Sequence, residues 1–106
     1  MDTACVVVLI TVDSPATAQK ITDILLAERK AACVNIIPKV ESHYWWQGKI
    51  EHADELMLIV KTRADLLDEL VALVKSIHPY TVPEIIALPV IGGNADYLQW
   101  IENETE

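Results

Sequence analysis

The chain has 106 residues, 52% of them hydrophobic and only three of them glycine, and its formal net charge is −8. That length suits one compact domain spanning residues 1–106, and the apolar share excludes a disordered or linker-like segment. The acidic balance argues against a nucleic-acid backbone or an anionic membrane surface as partner; it is compatible with cations or simply with solubility. Near the N-terminus, Asp2 and no lysine or arginine precede the apolar run 5–12. This run is too short for a membrane span and lacks the basic start of a signal peptide, so a cytoplasmic protein is expected. Two cysteines cannot build a disulfide framework, and Cys5 and Cys33 read as small buried residues opening strands in a reducing compartment.

The first strand is the β-branched run 5–12, CVVVLITV. Ser14-Pro15 then supplies an N-cap followed by proline at the first helical position, and Ala18, Ile21, Ile24 and Leu25 set an apolar stripe for a helix ending near Arg29. A second strand is expected over 32–46. It is interrupted by Pro38, which cannot donate to a ladder, and therefore belongs at an edge or carries a bulge. Gln47-Gly48 marks a two-residue turn into a third strand reaching about Lys61. Thr62 to Asp65 resembles a capping box for a second helix that continues to His78-Pro79. A short edge strand over 84–89 and a last helix capped by Asn94 complete the chain.

The resulting order, βαββαβ plus a C-terminal helix, is the α+β, ferredoxin-like split βαβ pattern. Right-handed crossovers give an antiparallel sheet of order 4-1-3-2, with the two longest apolar runs in the centre and the prolines at the edges. The hairpin over 42–62 organises the rest. Tyr44 and Trp46 share one face and Trp45 the other, so a single layer of helices cannot cover all three rings. A further copy of the chain is expected to cover them.

This topology gathers the end of the first strand, the hairpin tip, His78 and Glu84 at one end of the sheet, with Cys5, Cys33 and Lys61 at the other. Two polar clusters follow. His78, Glu84 and Asp13, with Tyr80 nearby, could hold a borderline divalent metal, although His78 could equally end its helix and Glu84 bond local backbone. If Gln47-Gly48 is a two-residue loop, His43 faces His52 and Glu41 faces Asp54, a ladder able to ligate Cu²⁺ or Zn²⁺ but dissolved by a one-residue slip. No C-x-x-C, H-E-x-x-H, P-loop, G-x-G-x-x-G or G-x-S-x-G is present, and nothing specifies an enzyme or an organic cofactor.

Taken together, Ala31-Ala-Cys-Val-Asn35, Ser42-x-Tyr44-x-Trp46-x-Gly48, Glu55 with Lys61-Thr62, His78-Pro-Tyr80, Pro83-Glu84 and Tyr97-Leu-x-Trp100 resemble the CutA family of divalent-cation tolerance proteins. The resemblance implies a tight homotrimer whose long hairpin, with Tyr44, Trp45 and Trp46, embraces the neighbouring subunit. It implies a role in tolerance to copper and other divalent ions, and a trimer similar in architecture to PII signalling proteins, which bind small ligands between subunits. Some relatives have a copper site attributed to a late first-strand cysteine and a His-His pair; the matching positions here are Ile10, Ile77 and His78. Two readings follow: a non-enzymatic trimer binding divalent metal weakly through His78 and acidic neighbours, or a sensing or interaction trimer whose clefts use Lys61, Glu84, Tyr44 and Trp46 for a small anionic molecule or a partner tail. A purely structural assembly unit is the third and weakest.

Overall fold

The computed structural model describes residues 4–106; Asp2 lies outside the described residues. The strands are β1 (Cys5–Val12), β2 (Cys33–Trp46), β3 (Lys49–Arg63) and β4 (Ile85–Pro89), and the helices are α1 (Pro15–Ala27), α2 (Leu67–Ile77) and α3 (Ala95–Glu104). The sheet order β2-β3-β1-β4 is the expected order read from the other edge, and every pairing is antiparallel. The pattern is the ferredoxin-like split βαβ with an added C-terminal helix.

Alternation along the strands divides the sheet into two unlike faces. Val8, Ile10, Val12, Leu56, Leu58 and Val60 point to one side, where Ala18, Ile21 and Leu25 of α1 and Leu70 and Val74 of α2 bury them. Each such aliphatic side chain contributes roughly 1.5–3 kcal/mol on full burial, which makes this layer the principal core. The opposite side carries the paired residues Val7, Leu9, Met57, Ile59, Ile86 and Leu88, and Ile86 and Leu88 are about half exposed. A second apolar surface is thus built into the central strands, and α3 reaches it at the Cys5 end, where Cys5 Sγ lies 3.8 Å from Leu98 C=O.

Ser14 accepts a hydrogen bond from Thr17 N–H and Pro15 opens α1; Asn94 accepts from Asp96 N–H at the start of α3. At the end of α1, Arg29 adopts φ +57°, and Lys30 N–H and Arg29 N–H donate to the carbonyls of Leu25 and Leu26, closing a Schellman motif without glycine. The capping box expected at Thr62–Asp65 does not form. β3 runs two residues longer than expected, so Thr62 is a fully buried strand residue whose hydroxyl donates to Lys30 C=O at 2.6 Å, and α2 begins behind a short 3₁₀ turn over Ala64–Leu66 with no side-chain cap. Cys5 is buried as expected, whereas Cys33 is half-buried; both thiols are free.

The hairpin is the most extended feature. Its pairs from Val40↔Glu55 to Trp46↔Lys49 lie beyond the last β1 partner, Leu56, so it projects about 20 Å from the sheet at ~3.3 Å per residue. A β-bulge between Ile37 and Val40 absorbs Pro38, and the turn has φ +50° at Gln47 and +80° at Gly48, as a type I′ turn requires. A Cβ at Gly48 would meet no atom within 4 Å, so the conformation alone penalises a side chain there. Gly48→Ala is therefore expected to lower stability by about 1–2 kcal/mol in chemical denaturation, without loss of fold.

Candidate functional site

Residues 78–84 link α2 to β4 and fold back over the end of β1 and the base of the hairpin. His78 anchors this link. It is 8% exposed, its Nε2 lies 2.8 Å from Thr11 C=O, and its Nδ1 accepts from Tyr80 N–H at 3.1 Å. A backbone amide can only donate and a carbonyl can only accept, so the ring carries its proton on Nε2, and both nitrogens are already engaged. The adjacent Tyr80 ring packs at 4.6 Å between centroids, and its hydroxyl donates to Glu55 Oε2 at 2.8 Å.

Glu55 is 7% exposed although it closes the base of a solvent-facing hairpin. Tyr80 O–H is its side-chain hydrogen-bond donor. Burial raises the Tyr80 phenol far above its ordinary value, with the Glu55 hydrogen bond and charge and the charge of Asp13 adding to the effect. The phenol therefore keeps the proton that holds Glu55. Glu84 is also raised, first by partial removal from water and then by the charge of Glu55. A raised folded-state value disfavours folding once the carboxyl ionises: the penalty is absent below the unfolded value near pH 4.3 and grows as pH rises through the folded value. Glu84→Gln should consequently raise stability slightly at neutral pH and have no effect in acid, the gain being small because Glu84 is exposed. Denaturation midpoints at the two pH values check this.

Between the hairpin and the 78–84 link lies a cleft of about 1010 Å³, lined by Tyr44, Trp46, Glu55, Tyr80 and Glu84 among others, and by no lysine or arginine. Tyr44 and Trp46 are each 43% exposed and Trp45 on the other face is 72% exposed. The expected ligand set is divided by this arrangement. Glu84, Tyr44 and Trp46 do share the cleft. Lys61 instead sits beside Cys33 at the far end of the sheet and donates to Asn35 Oδ1, so within one chain it cannot join them. Nor do His78, Glu84 and Asp13 converge: among the described residues no three His, Cys, Asp or Glu side chains are placed to hold one metal ion. The physical reason is the double engagement of His78 with Thr11 and Tyr80 backbone.

The hairpin ladder takes the expected register, His43 opposite His52 and Glu41 opposite Asp54. The imidazoles stack with centroids 5.9 Å apart, and His43 Nε2 lies 4.0 Å from Glu41 Oε2.

Sequence reading did not single out Glu55 as a site residue. The available signal was an acidic residue at the outer end of the apolar run 56–60, on the face shared with Met57 and Ile59. Its partner Tyr80 is 25 residues away and becomes visible only once the link has folded back.

A split βαβ sheet with one face only partly covered, an overhanging aromatic hairpin and an acidic cleft at its base defines the structural class. Residues 6–104 match the family described as CutA1 divalent ion tolerance protein, and the chain belongs to that family. It is 50% identical over 99 residues to the divalent-cation tolerance protein CutA of Thermus thermophilus, covering 93% of this chain and 96% of that protein. It is 48% identical over 100 residues to the chloroplastic protein CutA 1 of rice, covering 94% of this chain but 56% of that longer protein. It thus spans about half the length of the plant relative and nearly all of the bacterial one. Among solved structures, the divalent cation tolerance protein of Thermus thermophilus superposes with a TM-score of 0.94 at 49% identity, covering 96% of this chain and 99% of that one. Among the described residues no helix is long and apolar enough to cross a membrane.

Proposed function

We propose that this protein acts in tolerance to divalent metal ions, copper among them, as a non-enzymatic homotrimer that binds such ions weakly at its acidic clefts. The observation that carries this reading is the pairing of Glu55 and Glu84 in one cleft without a lysine or arginine in its lining. Partial removal from water and then the Glu55 charge raise the cost of ionising Glu84, and a divalent cation between the two carboxylates relieves that cost. Two carboxylates from one chain make a weak site, so further ligands fall to water or to an adjoining copy. His78 enters as a positioning residue that aims Tyr80 at Glu55. The partly exposed apolar sheet face, with Ile86 and Leu88, and the overhanging aromatics support assembly, three copies being the number the family resemblance implies. Free thiols suit a reducing, cytoplasmic setting.

The volume of the cleft and its Tyr44 and Trp46 walls favour a second reading, a trimer that senses a small ligand. An anionic ligand would then need Lys61 to arrive from an adjoining copy. Calorimetric titration of the metal-free protein with Cu²⁺, Zn²⁺ and Mg²⁺ at physiological salt, repeated on Glu55→Gln/Glu84→Gln, tests the first reading. Saturable binding weakened in the variant supports it. Salt-screened, non-stoichiometric heats identical in both proteins would discard it in favour of the second.

A further inference from the structure

We propose that the outer hairpin carries a histidine-based site for a borderline divalent ion such as Cu²⁺ or Zn²⁺, with His43 and His52 as the two protein ligands and water in the remaining positions; Glu41 or Asp54 joins only after its side chain reorients, since among the described residues no three such groups already converge. The inference shares with the proposed function the class of ion and one wall, since Glu41 and His43 also border the cleft, but neither Glu55 nor Glu84 lines this depression. The chain has three histidines, and His78 has both ring nitrogens committed to backbone groups. The remaining two are direct cross-strand partners, and together with Glu41 and Asp54 they line a depression of about 190 Å³.

Their juxtaposition is held by the fold. Antiparallel partners share a face, so His43, His52, Glu41 and Asp54 all lie on the side that, farther along β3, becomes the buried face of Leu56 and Leu58. Here the hairpin has passed the helices, and the side chains meet solvent. The type I′ turn at Gln47-Gly48 and the bulge at Pro38 fix the register from both ends; a slip of one residue would send the imidazoles to opposite faces.

Ring centroids 5.9 Å apart can be spanned by one ion bonded to both imidazoles at about 2.0–2.1 Å once the rings turn. That rotation is cheap because His43 is 65% exposed and its one ionic neighbour, Glu41 at 4.0 Å, is itself a ligand candidate. Imidazole nitrogens select late first-row ions over Mg²⁺ and Ca²⁺, and Cu²⁺ most strongly.

The test uses the full chain and Cu²⁺ alone, with calorimetry for affinity and electron paramagnetic resonance for the number of bound nitrogens. The wild type should bind one Cu²⁺ per chain on this face through two imidazole nitrogens, undisturbed by a large excess of Mg²⁺. His43→Ala and His52→Ala should each weaken binding by about tenfold or more, and the double variant little further, because either change destroys the chelate. Glu55→Gln/Glu84→Gln should leave the two-nitrogen signal intact, which separates this site from the cleft. Both histidines are exposed, so thermal unfolding should be unchanged. Unaltered Cu²⁺ affinity in the double variant, or a two-nitrogen signal that survives it, would overturn the proposal and leave the pair as a packing contact.

Discussion

His78→Ala is expected to lower stability by about 2–4 kcal/mol, a large fraction of the total for a domain of this size. The ring is buried and accounts for two hydrogen bonds to backbone, from Nε2–H to Thr11 C=O and from Tyr80 N–H to Nδ1. Truncation strands the Thr11 carbonyl at the end of β1 and the Tyr80 amide in the 78–84 link, and each unsatisfied buried group costs roughly 1–3 kcal/mol. It also frees the 78–84 link, so Tyr80 loses its fixed approach to Glu55. Denaturant unfolding measures the loss, and His78→Asn, which keeps a donor and an acceptor, should recover part of it. A divalent-ion affinity that fell with stability unchanged would instead show His78 to be a ligand.

Ile59→Glu is expected to abolish assembly. Ile59 lies at the middle of β3 opposite Leu9 on β1, on the sheet face that α1 and α2 do not cover. In a separate chain this half-buried position would accept a carboxylate at modest cost, because the charge could reach water. In an assembly that seals the face, each chain would bury an unpaired charge, at several kcal/mol apiece, and every interface would carry it. Trp46→Ala should act in the same direction but more weakly, by removing apolar area at the overhang. Sedimentation of both variants beside the wild type provides the comparison. An Ile59→Glu protein with wild-type mass and wild-type stability would mean that this face is solvent-exposed in the native protein.

The sequence was most informative where local chemistry decided the geometry. Gln47-Gly48 could only be a tight turn with positive φ, and that single assignment set the register that places His43 opposite His52 and Trp46 opposite Lys49. Pro38 and the prolines flanking β4 barred those strands from the centre, so the order of the sheet followed. The cleft was legible only in part, because its key contacts join residues far apart in the chain. His78 looked like a free imidazole at a helix end, yet Thr11 lies 67 residues away and uses its Nε2. Thr62 had the pattern of a cap, but pairing with Val6 extends β3 through it and turns its hydroxyl to Lys30. Lys61 was expected in a cleft between subunits; within one chain the strand directions put it beside Cys33.

The most direct measurement is the mass of the protein in solution by light scattering at micromolar concentration. A mass three times the 11.8 kDa of one chain is expected, with the exposed sheet face and the Tyr44, Trp45 and Trp46 overhang buried between copies. A mass of 11.8 kDa would contradict it, leaving that apolar surface open to water and removing assembly from the account.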